Sequence, residues 1–278
     1  MPAERAPVPR ALTIAGSDSG GGAGIEADLR TFAALGVWGM AAITSVTVQN
    51  TIGVSGVSDV PPDVVAAQIL AVATDIGVDA AKTGMLSSAP IIEAVADALE
   101  RTGISALVVD PVSVSKHGDP LLRSDAIGAL RTRIAPLAAL VTPNLPEAGA
   151  LAGFEVGTRE DMRRAAEAIL GFGASAVLVK GGHLMGDSGR ADDLFADGSG
   201  ETWLEGERID TPHTHGTGCV LSAAIAARLA RGDTVRDAAA GGKRFVTEAI
   251  RHSLALGRGI GPVDPAWRAT QEAAGRSP

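Results

Sequence analysis

Short β-branched runs alternate along the chain with segments whose apolar residues return every three or four positions. Leu12 to Ala15, Ala41 to Val48, Ala106 to Asp110, Leu140 to Thr142 and Val177 to Lys180 predict strands, as bounded apolar runs of this length do. Helical spacing predicts helices at Gly24 to Leu35, Asp63 to Ile76, Pro90 to Arg101, Ser124 to Ile134, Arg159 to Leu170, Gly218 to Ala230 and Val235 to Leu254. Such alternation defines an α/β fold, a mostly parallel sheet with helices on both faces. Several strands run into polar or glycine turns, namely Gly16-Ser17-Asp18, Asp110-Pro111-Val112, Thr142-Pro143-Asn144 and Lys180-Gly181-Gly182. The carboxyl ends of strands are where open α/β sheets bind ligands. With no internal repeat and no break in composition, nothing forces a domain boundary and the length allows one large domain or two small ones, with mobile ends expected at 1–9 and 263–278.

Composition narrows the partners. The 278 residues are 46% hydrophobic, enough for a sizeable core, and carry a net charge of −8. Arginines are scattered rather than gathered into a basic stretch, which argues against a nucleic-acid surface and for small substrates. No apolar run approaches the ~20 residues of a membrane span, and the first ten residues lack a signal-peptide core. One cysteine builds no internal disulfide framework, so a cytoplasmic protein is expected.

That cysteine, Cys219, closes His215-Gly216-Thr217-Gly218-Cys219, and the apolar spacing of Val220, Leu221, Ala224, Ile225 and Leu229 makes this turn the start of a helix. Free N–H groups and the positive dipole end then suit a phosphate, and the same field is expected to lower a thiol's pKa from about 8.5. A second glycine turn, Ser19 to Gly24, opens the first predicted helix. Asp28 lies there beside the apolar stripe of Ile25, Leu29 and Phe32, so its carboxylate needs a partner, either structural or a hydrogen-bonding substrate. Neither a Gly-x-Gly-x-x-Gly pattern with a strand-end acid nor a P-loop is present. Gln49 and Asn50 instead end the second strand with amides, which suit the donor and acceptor edges of a heterocycle. Asn144 and Glu147 have the spacing of a capping box. Glu147 also forms, with Asp110 at another strand end, a pair of hard oxygen donors for hydrated Mg²⁺ and nucleotide phosphates. Lys180 brings an ammonium to a strand end in a chain with only four lysines. His183, His213 and His215 lack the accompanying ligands of a zinc site, and none is expected. The polar, glycine-rich stretch from Gly182 to Ala191 is a candidate nucleotide flap.

Taken together, Gly16 to Gly24, Val48-Gln49-Asn50-Thr51, Lys82-Thr83-Gly84-Met85-Leu86, Thr142 to Glu147, Lys180-Gly181-Gly182-His183 and Thr214 to Cys219 resemble the hydroxymethylpyrimidine/phosphomethylpyrimidine kinases. These form a thiamine-pathway branch of the ribokinase-like superfamily. The resemblance runs from about Leu12 to Pro262 in motif order. It implies a single ribokinase-like domain over residues 10–262, a homodimer, and two MgATP-dependent phosphorylations, of the pyrimidine's hydroxymethyl group and then of the monophosphate. Carried over by motif, Gly16, Asp28, Val48, Gln49, Met85 and Val112 bind the pyrimidine. Asn144, Glu147, Lys180 and Gly182 serve the nucleotide, with Asp110 and Glu147 on the Mg²⁺ side. Gly216, Thr217 and Gly218 form the anion hole, and Cys219 stands where most sugar kinases of the superfamily carry aspartate. Ser19 departs from the proline common in related sequences. On this reading Cys219 takes the proton in the first step and matters less in the second.

The nearest alternative is a pyridoxal kinase of the same superfamily, against which Gln49 argues. A cysteine hydrolase using Cys219 with His213 or His215 leaves the other strand-end motifs unexplained. A non-catalytic pyrimidine sensor is disfavoured by Lys180, Glu147 and Cys219 together.

Overall fold

The computed structural model describes residues 8–113, 126–182, 184 and 189–274. Nine strands form one sheet: β1 (Arg10–Asp18), β2 (Trp38–Gln49), β3 (Val54–Asp59), β4 (Ala80–Thr83), β5 (Leu107–Val109), β6 (Leu140–Val141), β7 (Ala176–Val179), β8 (Asp193–Asp197) and β9 (Gly200–Leu204). Their spatial order is β3-β2-β1-β4-β5-β6-β7-β8-β9. The six from β2 to β7 are parallel, while β3 on one side and β8 and β9 on the other are antiparallel.

Side chains alternate across each strand, so both faces of the sheet must be covered. Leu12 and Ile14, Leu107 and Val109, and Val177 and Val179 face one core, which takes α2 (Pro62–Asp75), α3 (Ala89–Thr102), α4 (Ala126–Ala129), α5 (Leu145–Ala152) and α6 (Arg159–Gly171). Ala11, Val108, Ala176 and Leu178 face the other, with α1 (Gly24–Ala34), α7 (Thr217–Ala230), α8 (Val235–Arg251) and α9 (Trp267–Ala274). No helix of the described residues is long and apolar enough to cross a membrane.

The segment after Pro262 is not a mobile end over its described residues. Val263 and Trp267 are buried in the second core, and the Trp267 ring lies 4.7 Å from that of Phe245. One large aromatic in an otherwise polar stretch is the signal that anchors it. The expected helix from Ser124 is described only from Ala126 and passes through a wider turn at Leu130–Ile134. Ser124, Lys116, His183 and residues 185–188 of the candidate flap lie outside the described residues.

Candidate active site

Chain order places the site. From β1 the chain moves to β2 on one side, and later returns to β4 on the other, so the loops after neighbouring strands part over β1. A cavity of about 530 Å³ lies at this divide, lined by residues at the carboxyl ends of β1, β2, β4, β5, β6 and β7 and by the start of α7. Open α/β sheets bind ligands at such switch points.

The α7 start is built for close approach. Gly216 has φ 79°, and a Cβ there would come 1.9 Å from the Gly22 carbonyl oxygen, so only glycine lets the two glycine turns dock. The first turn has no side-chain cap; the Thr217 N–H reaches Thr214 O at 3.4 Å, and the N–H groups after it are in place to meet an anion. A Cβ on Gly218 would stand 3.4 Å from Lys180 Nζ and 3.5 Å from an Asp110 carboxylate oxygen, so this turn faces both.

Cys219 lines the cavity, but its thiol is not activated as the sequence suggested. Burial pushes it up to about 12, against the pull of the Lys82 ammonium and of a hydrogen bond from the Gly24 N–H, while Asp28 and Asp110 add to the rise. The helix end is outweighed by desolvation and two carboxylates. In the folded protein at pH 8, Cys219 should react with iodoacetamide at least roughly 100-fold more slowly than in the unfolded chain, where the thiol titrates near 8.5. Comparable rates would show an activated thiolate after all.

Lys180 Nζ lies 3.0 Å from Asp110 Oδ1 and 3.7 Å from Glu147 Oε2. Burial works against its charge, but the two carboxylates prevail and hold Lys180 firmly protonated. Glu147 is driven upward by burial, only partly offset by Lys180. The capping box also forms: Asn144 N–H donates to Glu147 Oε2 at 2.7 Å, and Glu147 N–H to Asn144 Oδ1 at 2.8 Å. Glu147 therefore holds the start of α5 and faces the cavity with the same carboxylate.

At the other wall Gly16, Met85, Val112 and Gln49 line the cavity. A Cβ on Gly16 would lie 2.6 Å from the Met85 methyl, so Met85 packs directly on the loop backbone. Two expected residues do not reach the cavity. Val48 is 62% exposed, whereas Thr47 and Gln49 line it, because strand side chains alternate and Val48 points the other way. Asp28 is fully buried behind the wall, accepting from Lys82 Nζ at 2.8 Å and Thr13 Oγ1 at 2.6 Å. Its partner is structural, and Lys82 is the member of the pair that backs the cavity. Burial opposes the Lys82 charge, yet the Asp28 and Asp110 carboxylates keep it protonated.

Sequence reasoning also passed over Asp18, Lys82 and Lys243, and the stretch Glu207 to Thr211, all of which line the cavity. Lys243 Nζ lies 2.7 Å from Asp193 Oδ2. Three of the chain's four lysines thus stand at one cavity, a concentration the scarcity of lysine already hinted at. Among the described residues no group of three or more His, Cys, Asp or Glu is placed to hold a metal ion.

This fold, with a glycine anion turn, a buried lysine and paired acids at its switch point, defines a phosphotransferase of the ribokinase-like class. Comparison with known proteins supplies the family. Residues 18–264 match the phosphomethylpyrimidine kinase family, and the chain belongs to it. It is 54% identical over 259 residues to hydroxymethylpyrimidine/phosphomethylpyrimidine kinase of Streptomyces coelicolor, covering 93% of this chain and 95% of that one. It is 50% identical to a thiamine biosynthesis bifunctional protein of Geobacter sulfurreducens, with 94% of this chain and 53% of that protein covered. Among solved structures it resembles the ADP complex of Bacillus subtilis pyridoxal kinase, with TM-score 0.87, 42% identity, and 94% and 99% of the two chains covered.

Proposed function

We propose that the protein transfers the γ-phosphoryl group of ATP to the hydroxymethyl oxygen of 4-amino-5-hydroxymethyl-2-methylpyrimidine, and then a second one to the monophosphate, for thiamine biosynthesis. The observation that carries this reading is that one cavity joins the turn at Gly216 to Gly218, facing Lys180 and Asp110, to an amide at Gln49 beside the apolar Met85 and Val112. The first set suits a phosphoryl group in transit, the second a flat polar ring. Phosphoryl transfer has a loose transition state, so positioning and charge stabilisation carry most of the rate. Lys180 and the N–H groups of the α7 turn supply positive charge where the phosphoryl oxygens gather it. Asp110 and Glu147 would hold hydrated Mg²⁺, which supplies charge neutralisation on the phosphates. Cys219 enters as a neutral thiol beside the acceptor rather than as a ready thiolate. The apolar Ile209, Val246 and Ile250 offer a wall for the adenine base.

Likeness to a pyridoxal kinase favours pyridoxal as a second acceptor, and Gln49 is the residue expected to rank it below the pyrimidine. Val46 and Val48, on one face of β2, are 49% and 62% exposed, which supports a homodimer. Incubated with the hydroxymethylpyrimidine and MgATP, the protein should yield both the mono- and the diphosphate by mass. ATP turnover without either product would contradict the reading.

A further inference from the structure

A side-chain pair ties the two glycine turns together and ends on Gln49. The Asp18 carboxylate accepts N–H bonds from Gly20 at 2.8 Å, Gly22 at 3.0 Å and Ala23 at 2.9 Å, which shape the first turn. Its Oδ2 also lies 3.0 Å from Nε2 of His215, the residue before Gly216. The His215 main chain is fixed on both sides, its N–H donating to Gly261 O at 3.1 Å and its carbonyl accepting from Val263 N–H at 3.0 Å. A Cβ on Gly22 would stand 2.5 Å from the ring's Cδ2, so the imidazole fills the space that glycine leaves. The same Nε2 lies 3.2 Å from the amide end of Gln49.

Two of these contacts compete for one nitrogen. Asp18 is ionised: burial acts to raise its carboxyl, but His215 and the backbone N–H groups outweigh that and hold it below the usual carboxylate range. A carboxylate oxygen at 3.0 Å requires a hydrogen on Nε2, and a protonated ring nitrogen has no lone pair to accept from an amide NH₂. The two ends of a glutamine amide are assigned from their hydrogen bonds, so the end of Gln49 that meets His215 is its oxygen, which shares the one Nε2 hydrogen with Asp18, and the NH₂ is the end left for the cavity that Gln49 lines.

We propose that Asp18 and His215 are positioning residues that fix the Gln49 amide with its NH₂ toward the substrate, so that the site selects rings presenting an acceptor nitrogen at that edge. This rests on the pyrimidine reading. The test is calorimetric binding of the hydroxymethylpyrimidine and, separately, of AMP-PCP, with no turnover needed. His215→Leu should weaken pyrimidine binding about tenfold, the scale of one well-made hydrogen bond in a closed site, and leave AMP-PCP within about twofold. His215→Gln, which can still donate to Asp18, should recover most of the loss, and His215→Asn, too short to reach, should not. In a Gln49→Leu background His215→Leu should cost less than about twofold more, because the residue it acts through is gone. A full tenfold loss in that background, or equal weakening of AMP-PCP, would overturn the proposal while sparing the substrate reading. Should His215→Leu not fold, the Gln and Asn variants decide the same question. A folded wild-type protein that binds no hydroxymethylpyrimidine would overturn the substrate reading, and the proposal with it.

Discussion

Lys180→Met should lower kcat about 10² to 10³-fold in both phosphorylations, the usual cost of removing one preorganised charge stabiliser. The ammonium stands 3.0 Å from Asp110 and beside the turn at Gly216 to Gly218, the proposed place of the phosphoryl group, and no other described lysine shares that position. On the proposed reading the lysine acts on the transferring group and not on the acceptor, so the two steps should suffer alike. The variant leaves Asp110 and Glu147 facing each other, so its thermal midpoint must be measured beside its kinetics. A folded variant that loses less than about tenfold in kcat would remove Lys180 from the chemistry and leave it a structural counter-ion.

Lys82→Met should be the most damaging single change to stability, at about 3–5 kcal/mol, because it strands a buried carboxylate. Asp28 and Lys82 are both fully buried, and Asp28 Oδ1 already lacks a hydrogen-bond partner. Burial raises the Asp28 carboxyl even with the lysine present. Without Lys82 it rises further, so the native state of the variant binds a proton that the unfolded chain, titrating near 3.9, releases. Stability of the variant should therefore fall as pH rises above that unfolded value, and its deficit against wild type should be smaller near pH 4.5 than near pH 8. Asp28→Leu added to Lys82→Met should restore much of the loss, since an apolar pair of similar volume replaces a costly buried ion pair. Chemical unfolding of the three proteins at both pH values checks this. A deficit independent of pH and not repaired by the second change would mean that packing, not charge, explains it.

Much of the parallel core was legible because most of its strands are built around bounded, largely apolar runs. β4 was not: Lys82 sits in the middle of Ala80–Thr83 and breaks the pattern, although the residue is completely buried. β3 and β9, the antiparallel edge strands, carry serine, glycine and acids on a wet face and so lacked a period to follow, while β8 is a buried run of only five residues that begins and ends on aspartate. At the site, the strand-end motifs gathered as expected from Gly16 round to Cys219. The errors have local causes. Val48 was taken from its motif neighbours, where a count of two back from Gln49 gives Thr47. Asp28 was correctly marked as a buried carboxylate in need of a partner, but that partner is Lys82, distant in sequence. Cys219 was judged by its place at a helix start, a local feature, whereas its thiol is governed by how deeply the surrounding strands bury it, which only the assembled fold reveals.

The most direct test of the central claim is a mass-resolved time course with MgATP and equal concentrations of the hydroxymethylpyrimidine and pyridoxal. The account predicts that pyrimidine monophosphate appears first and then gives way to the diphosphate, while pyridoxal is consumed far more slowly. Pyridoxal phosphate as the dominant product, with the pyrimidine left untouched, would contradict it.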